Sequence, residues 1–205
     1  MRIYFIVIGI FLTLIQSKAQ DKTIFGDKLF SFGVNEGIKT FSGNNFISKS
    51  YKTSASTSFD IRFKVYENWG IGGGGEFSSP SIKTIQYVGN STKAKMSSWF
   101  GYVFYKINVG EKWLFVPKIG IYSYSLTNTL ESNDFYSTYD YRTKGNAYFV
   151  APEINYFLTK HISANANIQY SYIKLHDMNA NEEAIGISYQ KSNQFLTSVG
   201  IRFWF

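Results

Sequence analysis

The feature that most constrains this chain is an alternation of apolar and polar side chains with period two, held for about ten residues at a time and recurring from one end to the other. It is cleanest over Tyr51–Tyr66. There Tyr51, Thr53, Ala55, Thr57, Phe59, Ile61, Phe63 and Val65 share one face, and Lys52, Ser54, Ser56, Ser58, Asp60, Arg62, Lys64 and Tyr66 share the other. Period two is the strand period, so each such stretch is a strand with one oily side and one wet side. Strands of soluble sandwiches seldom run this long. The last thirteen residues, NQFLTSVGIRFWF, repeat the pattern, with Phe195, Thr197, Val199, Ile201, Phe203 and Phe205 opposing Gln194, Ser198, Gly200 and Arg202. A chain end in water favours polar residues, so this aromatic end predicts a strand held in a sheet with its rings against something apolar.

Taken in order, the alternation predicts strands over Leu29–Phe41, Tyr51–Tyr66, Trp69–Phe77, Met96–Ile107, Trp113–Tyr124, Asn146–Leu158, Ile162–Tyr172 and Asn193–Phe205. Short turns at Glu67–Asn68, Asn108–Lys112 and Thr159–His161 alternate with longer connections around 42–50, 78–95, 127–145 and 176–190. An even strand count with short turns at one end and long loops at the other is the rhythm of a membrane barrel. The expectation is an all-β fold: an eight-stranded antiparallel up-and-down transmembrane β-barrel over residues 29–205, its interior filled by side chains.

Three local features test this reading. Glu36 falls on the oily face of the first strand, so either it lies near head-group level or a bulge at Gly37 turns it. Pro117 and Pro152 lie within two neighbouring strands, each removing a ladder donor, and are expected to mark matched bulges. Gly72–Gly75 is no phosphate loop, because neither a GK[ST] sequence nor a helix follows it. Glycine there lets a narrow barrel bend and leaves room for a neighbouring ring such as Phe104.

Composition and the first residues set the destination. Residues 1–19 carry Arg2, an apolar run from Ile3 to Ile15 and the small-x-small end Ser17-Lys18-Ala19, which reads as a signal peptide cleaved at Ala19. The run is shorter than the roughly 20 residues of a spanning helix. Residues 20–28 then form an N-terminal periplasmic segment. Sixteen Tyr and nineteen Phe against three Pro, with a mean hydropathy of −0.15, suit strands that are apolar on one face only. Cysteine is absent, which closes the disulfide-scaffold reading. The formal charge of +7 is a mild excess that favours anionic head groups, while export argues against nucleic acid as a partner.

The inward-facing ionisable residues are Asp60, Arg62, Lys64, Glu76, Lys118, Glu153 and Arg202. In a narrow lumen such charges must pair, so Arg62 is expected against Asp60 or Glu76 and Lys118 against Glu153, as a structural network rather than a catalytic pair. His161-Ile162-Ser163 resembles the His-x-Ser of lipid A deacylases, but no acidic partner accompanies it. No metal-ligand cluster and no cofactor motif is present, and His176 stands alone. No catalytic residue is assigned.

The signal, the alternating strands and the terminal IRFWF together resemble the small outer-membrane β-barrel family of Gram-negative bacteria, of the OmpX, OmpW and OmpA-barrel kind. The resemblance implies a bacterial outer-membrane location and contact with the lipid bilayer, lipopolysaccharide and the barrel-assembly machinery. Ile201, Phe203 and Phe205 match the family's assembly signal. It also implies a monomer with a non-enzymatic structural or cell-surface role through its loops. A lipid-modifying enzyme and an OmpW-like passage for small hydrophobic molecules are the alternatives.

Overall fold

The computed structural model describes residues 28–84, 91–131, 138–176 and 191–205. The expected signal segment with Ala19, and all of residues 20–28 except Lys28, lie outside the described residues.

The alternating stretches form strands β1 (Phe30–Ser42), β2 (Ser54–Tyr66), β3 (Trp69–Ser78), β4 (Ser91–Tyr105), β5 (Ile107–Asn108), β6 (Trp113–Glu131), β7 (Thr138–Phe157), β8 (Ile162–Leu175) and β9 (Lys191–Trp204). All pair antiparallel in one sheet that closes through β1 with β9 and β4 with β6. The two-residue β5 prolongs the wall that β4 begins, in the same register against β6, so the barrel has eight staves.

The register fixes its dimensions. From Ser31 the pairings run through Arg62, Gly72, Tyr102, Gly120, Phe149, Ser171 and Gln194 to Phe41, ten residues further along β1. With strands about 4.8 Å apart and a rise near 3.3 Å per residue, that stagger tilts the strands by about 40° and gives a radius of about 8 Å. The same inward row alternates small and large side chains, which is how so narrow a tube is filled without voids. Gly72 and Gly120 are where Tyr102 and Phe149 lie: a Cβ on Gly120 would fall 2.6 Å from Phe149 Cε1.

Outward side chains gather rings at two levels. Toward the short turns Phe30 packs on Phe63 and Phe205 at 5.2 and 5.6 Å, and Trp113 on Tyr156 at 4.8 Å. Toward the long loops Phe59, Phe77 and Trp99 form a cluster over the outward Gly75, and Tyr170 packs on Phe195. Exposed Val34, Ile61, Ile71, Val103, Ile119, Val150, Ile168 and Val199 lie between these levels. This is the apolar band with two aromatic girdles that a spanning barrel needs.

Several expectations are corrected. Pro117 and Pro152 face each other in register, and no residue is inserted at either. What they cause is a lapse on their far sides. Pairing of β6 with its outer neighbour skips from Phe104↔Lys118 to Ile107↔Phe115, which splits β4 from β5 at Lys106, and β7–β8 pairing skips from Val150↔Tyr170 to Glu153↔Asn167. A missing N–H removes ladder bonds without shifting register. No bulge turns Glu36 either: it pairs regularly with Thr57 and Val199 and points outward, exposed.

The long loops are shorter than their polarity suggests. β6 continues to Glu131 and β7 begins at Thr138, so much of 127–145 is strand, and β4 begins at Ser91. Polar residues on both faces look like loop in sequence, yet a strand rising above the bilayer has water on its outer side. Within 43–53 the chain forms a one-turn helix, α1 (Phe46–Ser50), started by Asn45, whose side chain accepts from Ser48 N at 2.9 Å. The second strand therefore begins at Ser54 rather than Tyr51.

Candidate functional site

The lumen is the only place where the described residues concentrate buried charge. Asp60 and Arg62 are two apart on β2 and so share its inner face, with Glu153 and Lys118 across on β7 and β6 and Arg202 on β9. Arg62 Nη2 donates to Glu153 Oε2 at 2.5 Å, and Lys118 Nζ donates to the same oxygen at 2.7 Å. Arg202 Nη2 donates to Asp60 Oδ1 at 2.6 Å, while Arg62 Nε reaches Asp60 Oδ2 at 3.1 Å and Tyr102 Oη at 2.9 Å. Tyr102 in turn donates to Asp60. Two carboxylates thus hold three cations in one desolvated layer, where each partner offsets the others' lost hydration.

A second pair lies toward the long loops. Glu76 bonds not to Arg62 but to Lys39 on β1, with Ser56 Oγ donating to it at 3.2 Å. Lys39 is absent from the residues picked out by sequence, although its parity on β1, opposite to Ile38 and Thr40, places it inward. Lys106 is buried at the short-turn end, where its ammonium donates to Lys28 O at 3.1 Å and lies over the Trp204 ring. Lys64 is half-buried.

Apolar layers close both ends of this polar belt. Phe104, Leu114, Val116, Phe157 and Trp204 fill the short-turn end, and Trp204 Nε1 donates to Ser163 Oγ at 2.9 Å. At the long-loop end α1 folds inward, burying Phe46 and Ile47 with Met96, Leu126, Ile173 and Leu175. The cap is pinned by Lys83 N to Ser50 O at 2.7 Å, Lys52 N to Ser81 O at 2.9 Å, and Tyr51 Oη donating to Asn128 Oδ1 at 2.8 Å. Burial pushes the Tyr51 phenol pKa up, against a smaller opposing pull from Asn128.

Between these layers lies an internal cavity of about 20 Å³, lined by Asn35, Asp60, Glu76, Lys118, Glu153 and Asn167 among others. That holds about one water molecule. Asn35 Oδ1 and Asn167 Oδ1 have no hydrogen-bond partner among the described protein groups, so this space is polar.

The His-x-Ser sequence does not form a nucleophile site. His161 is exposed at the rim, its Nδ1 at 3.0 Å from both Trp204 O and Lys28 Nζ. Ser163 is buried inside the wall and bonds Trp204 and Asn155 instead. Side chains at positions i and i+2 of a strand share a face only when both belong to the strand, and His161 precedes it. Among the described residues no group of three His, Asp or Glu is poised to hold a metal. His176 closes the described part of β8's end and is exposed. Ile201, Phe203 and Phe205 point outward at the short-turn end, where Phe205 N donates to Phe30 O at 2.9 Å and the last strand is sealed to the first.

Comparison with known proteins agrees with this geometry. The family profile described as "Outer membrane protein beta-barrel domain" matches residues 9–203. Similar folds include Neisserial surface protein A (12% identity, 86% of this chain and 97% of that one, TM-score 0.61). A major outer membrane protein from Thermus thermophilus matches with 10% identity, 86% and 99% coverage and a TM-score of 0.57. The outer membrane protein OprG from Pseudomonas aeruginosa matches with 13% identity, 90% and 99% coverage and a TM-score of 0.55. No curated protein sequence matches significantly.

Proposed function

Because the chain belongs to the outer-membrane β-barrel domain family, we propose that it is a monomeric, non-conducting and non-enzymatic barrel whose long-loop end carries a structural or surface-interaction role outside the cell. The observation that carries this reading is the plug: Arg62 and Glu153 bond across the lumen, with a residual cavity of about 20 Å³ beside them. A rigid, filled barrel is a mount for loops rather than a pore. On this reading Ile201, Phe203 and Phe205 serve assembly, with lipopolysaccharide and the assembly machinery as partners.

Reconstitution in planar lipid bilayers tests it. The wild type is expected to give no stable conductance steps, and large persistent channels would end the proposal. Hydrolysis or acyl transfer on lipopolysaccharide, compared between wild type and His161→Ala, tests the enzymatic alternative. Activity lost in that variant would favour it.

One observation favours a second reading, lateral passage of small hydrophobic molecules. Pro117 and Pro152 leave lapses in the wall ladder on the two outer sides of the β6–β7 pair. Uptake of a fluorescent apolar probe into proteoliposomes, abolished by Pro117→Val/Pro152→Val, would support it.

A further inference from the structure

The outer surface of the barrel is chemically uneven. On β6, β7 and β8 two outward rows lie side by side in register, Ile121↔Tyr148↔Tyr172 and Ile119↔Val150↔Tyr170. These six residues line an open trough of about 380 Å³ on the lipid-facing wall. Tyr148 stands 67% exposed at its edge.

Directly up-strand from the trough the same face turns basic. Lys174 follows Tyr172 by two residues, and Lys144 and Arg142 precede Tyr148 by four and six; all three are exposed. At about 3.3 Å per residue, Lys174 stands about 7 Å beyond Tyr172, and Lys144 and Arg142 about 13 and 20 Å beyond Tyr148, along their strands. Aromatic girdles mark the interface, so cations beyond them on flexible stems reach the phosphates of the head groups. Arg142 Nε donates to Ser125 Oγ at 2.8 Å, which holds its guanidinium against the wall. Ser123 and Asn146 add outward polar groups between the cations and the trough.

Among the described residues, the opposite side of the barrel does not combine the two features. The outward residues of β1 and β2 on that side include Glu36, Thr40, Ala55 and Thr57, and the exposed Lys52 and Lys83 near them have no apolar trough beneath.

We infer that the outer face of β6, β7 and β8 binds one phosphorylated lipid of the outer leaflet, with an acyl chain in the Ile119–Tyr172 trough and a phosphate on Arg142, Lys144 and Lys174. Arginine grips phosphate through two donors and lysine as a point charge, while the trough supplies the apolar contact that a free phosphate lacks. The inference rests on the outward placement of the long loops in the proposed function, but not on the plug or on the absence of catalysis.

Native mass spectrometry of the folded protein in a non-ionic detergent, titrated with bisphosphorylated lipid A or with its phosphate-free counterpart, tests the site. One tightly held phosphorylated lipid is expected. The Arg142→Gln/Lys144→Gln/Lys174→Gln variant should lose affinity on the order of a hundredfold, given about one kcal/mol per basic group at a membrane surface. Lys52→Gln/Lys83→Gln, at the same end of the barrel, should bind as the wild type does. Retention of the folded gel mobility confirms each variant, and Lys144→Gln alone provides a milder test. Equal binding of the phosphate-free lipid, or an unchanged affinity in the triple variant, overturns the inference. Conductance or hydrolysis in the wild type would sink the proposed function while leaving this site standing.

Discussion

Arg62 and Glu153 belong to staves on opposite sides of the barrel, β2 and β7, and their side chains meet at 2.5 Å across its full width. Glu153 also receives Lys118 at 2.7 Å, so one carboxylate ties both halves of the wall. Glu153→Gln would strand buried cations and is expected to destabilise the barrel by about 3–5 kcal/mol. Arg62→Leu/Glu153→Leu should lose much less than the two single changes added together. Urea unfolding in lipid vesicles followed by tryptophan fluorescence measures both, and additive losses would mean that the pair is not coupled.

Gly72 and Gly101 make a matched comparison. A Cβ on Gly72 would drive into the Tyr102 ring, whereas one on Gly101 meets only Gly72 O at 3.9 Å. Gly72→Ala is therefore expected to cost about 1–3 kcal/mol, as overpacked interiors do, and Gly101→Ala to be near neutral. The same unfolding assay separates them, and equal effects would show that general β-propensity rather than ring packing governs this wall.

The parity of each strand was legible in the residues because period two assigns faces without knowledge of neighbours. Asp60, Arg62, Glu76, Lys118, Glu153 and Arg202 could thus be placed inside before any pairing was known. Their partners were less legible. Lys118–Glu153 joins adjacent staves and follows from order alone, but Arg62–Glu153 depends on the ten-residue stagger that exists only once the sheet closes. Lys39 shows the same limit, since nothing local links it to Glu76. The upper ends of β6 and β7 were hidden because, above the bilayer, water faces the outer side and the alternation fades.

Pro152 interrupts pairing with β8 between Val150↔Tyr170 and Glu153↔Asn167. Pro152→Val restores an N–H and is expected to add about 0.5–1.5 kcal/mol if that donor finds a carbonyl. Hydrogen exchange across Ala151 and Ile168 should slow at the same time. Unchanged exchange would assign the lapse to strand curvature instead of the missing donor.

Glu36 stands outward between Val34 and Ile38 on the face that also carries Phe30 and Phe32. A carboxylate on the lipid side, partway toward the interface, opposes insertion modestly. Glu36→Val should therefore stabilise the folded barrel by about 1 kcal/mol in bilayers. The effect should shrink in detergent micelles, where water reaches the belt. A destabilised variant in bilayers would mean that Glu36 has a partner at the membrane that these strands do not supply.

Tyr51 closes the long-loop end, its hydroxyl donating to Asn128, and burial holds its proton more tightly than in the unfolded chain. A group whose folded pKa is raised stabilises fully below its unfolded value, near 10 for tyrosine, and loses that contribution as pH climbs toward the folded value. Tyr51→Phe removes the hydrogen bond and leaves Asn128 without its donor, at about 1 kcal/mol near neutral pH. It also removes this titration. The stability gap between wild type and Tyr51→Phe should therefore be constant from pH 7 to 9 and narrow from about pH 10 upward, because only the wild type loses the contribution. Paired urea titrations across that range measure the gap directly, and a gap that widens with pH would mean that the phenolate is stabilised in the cap.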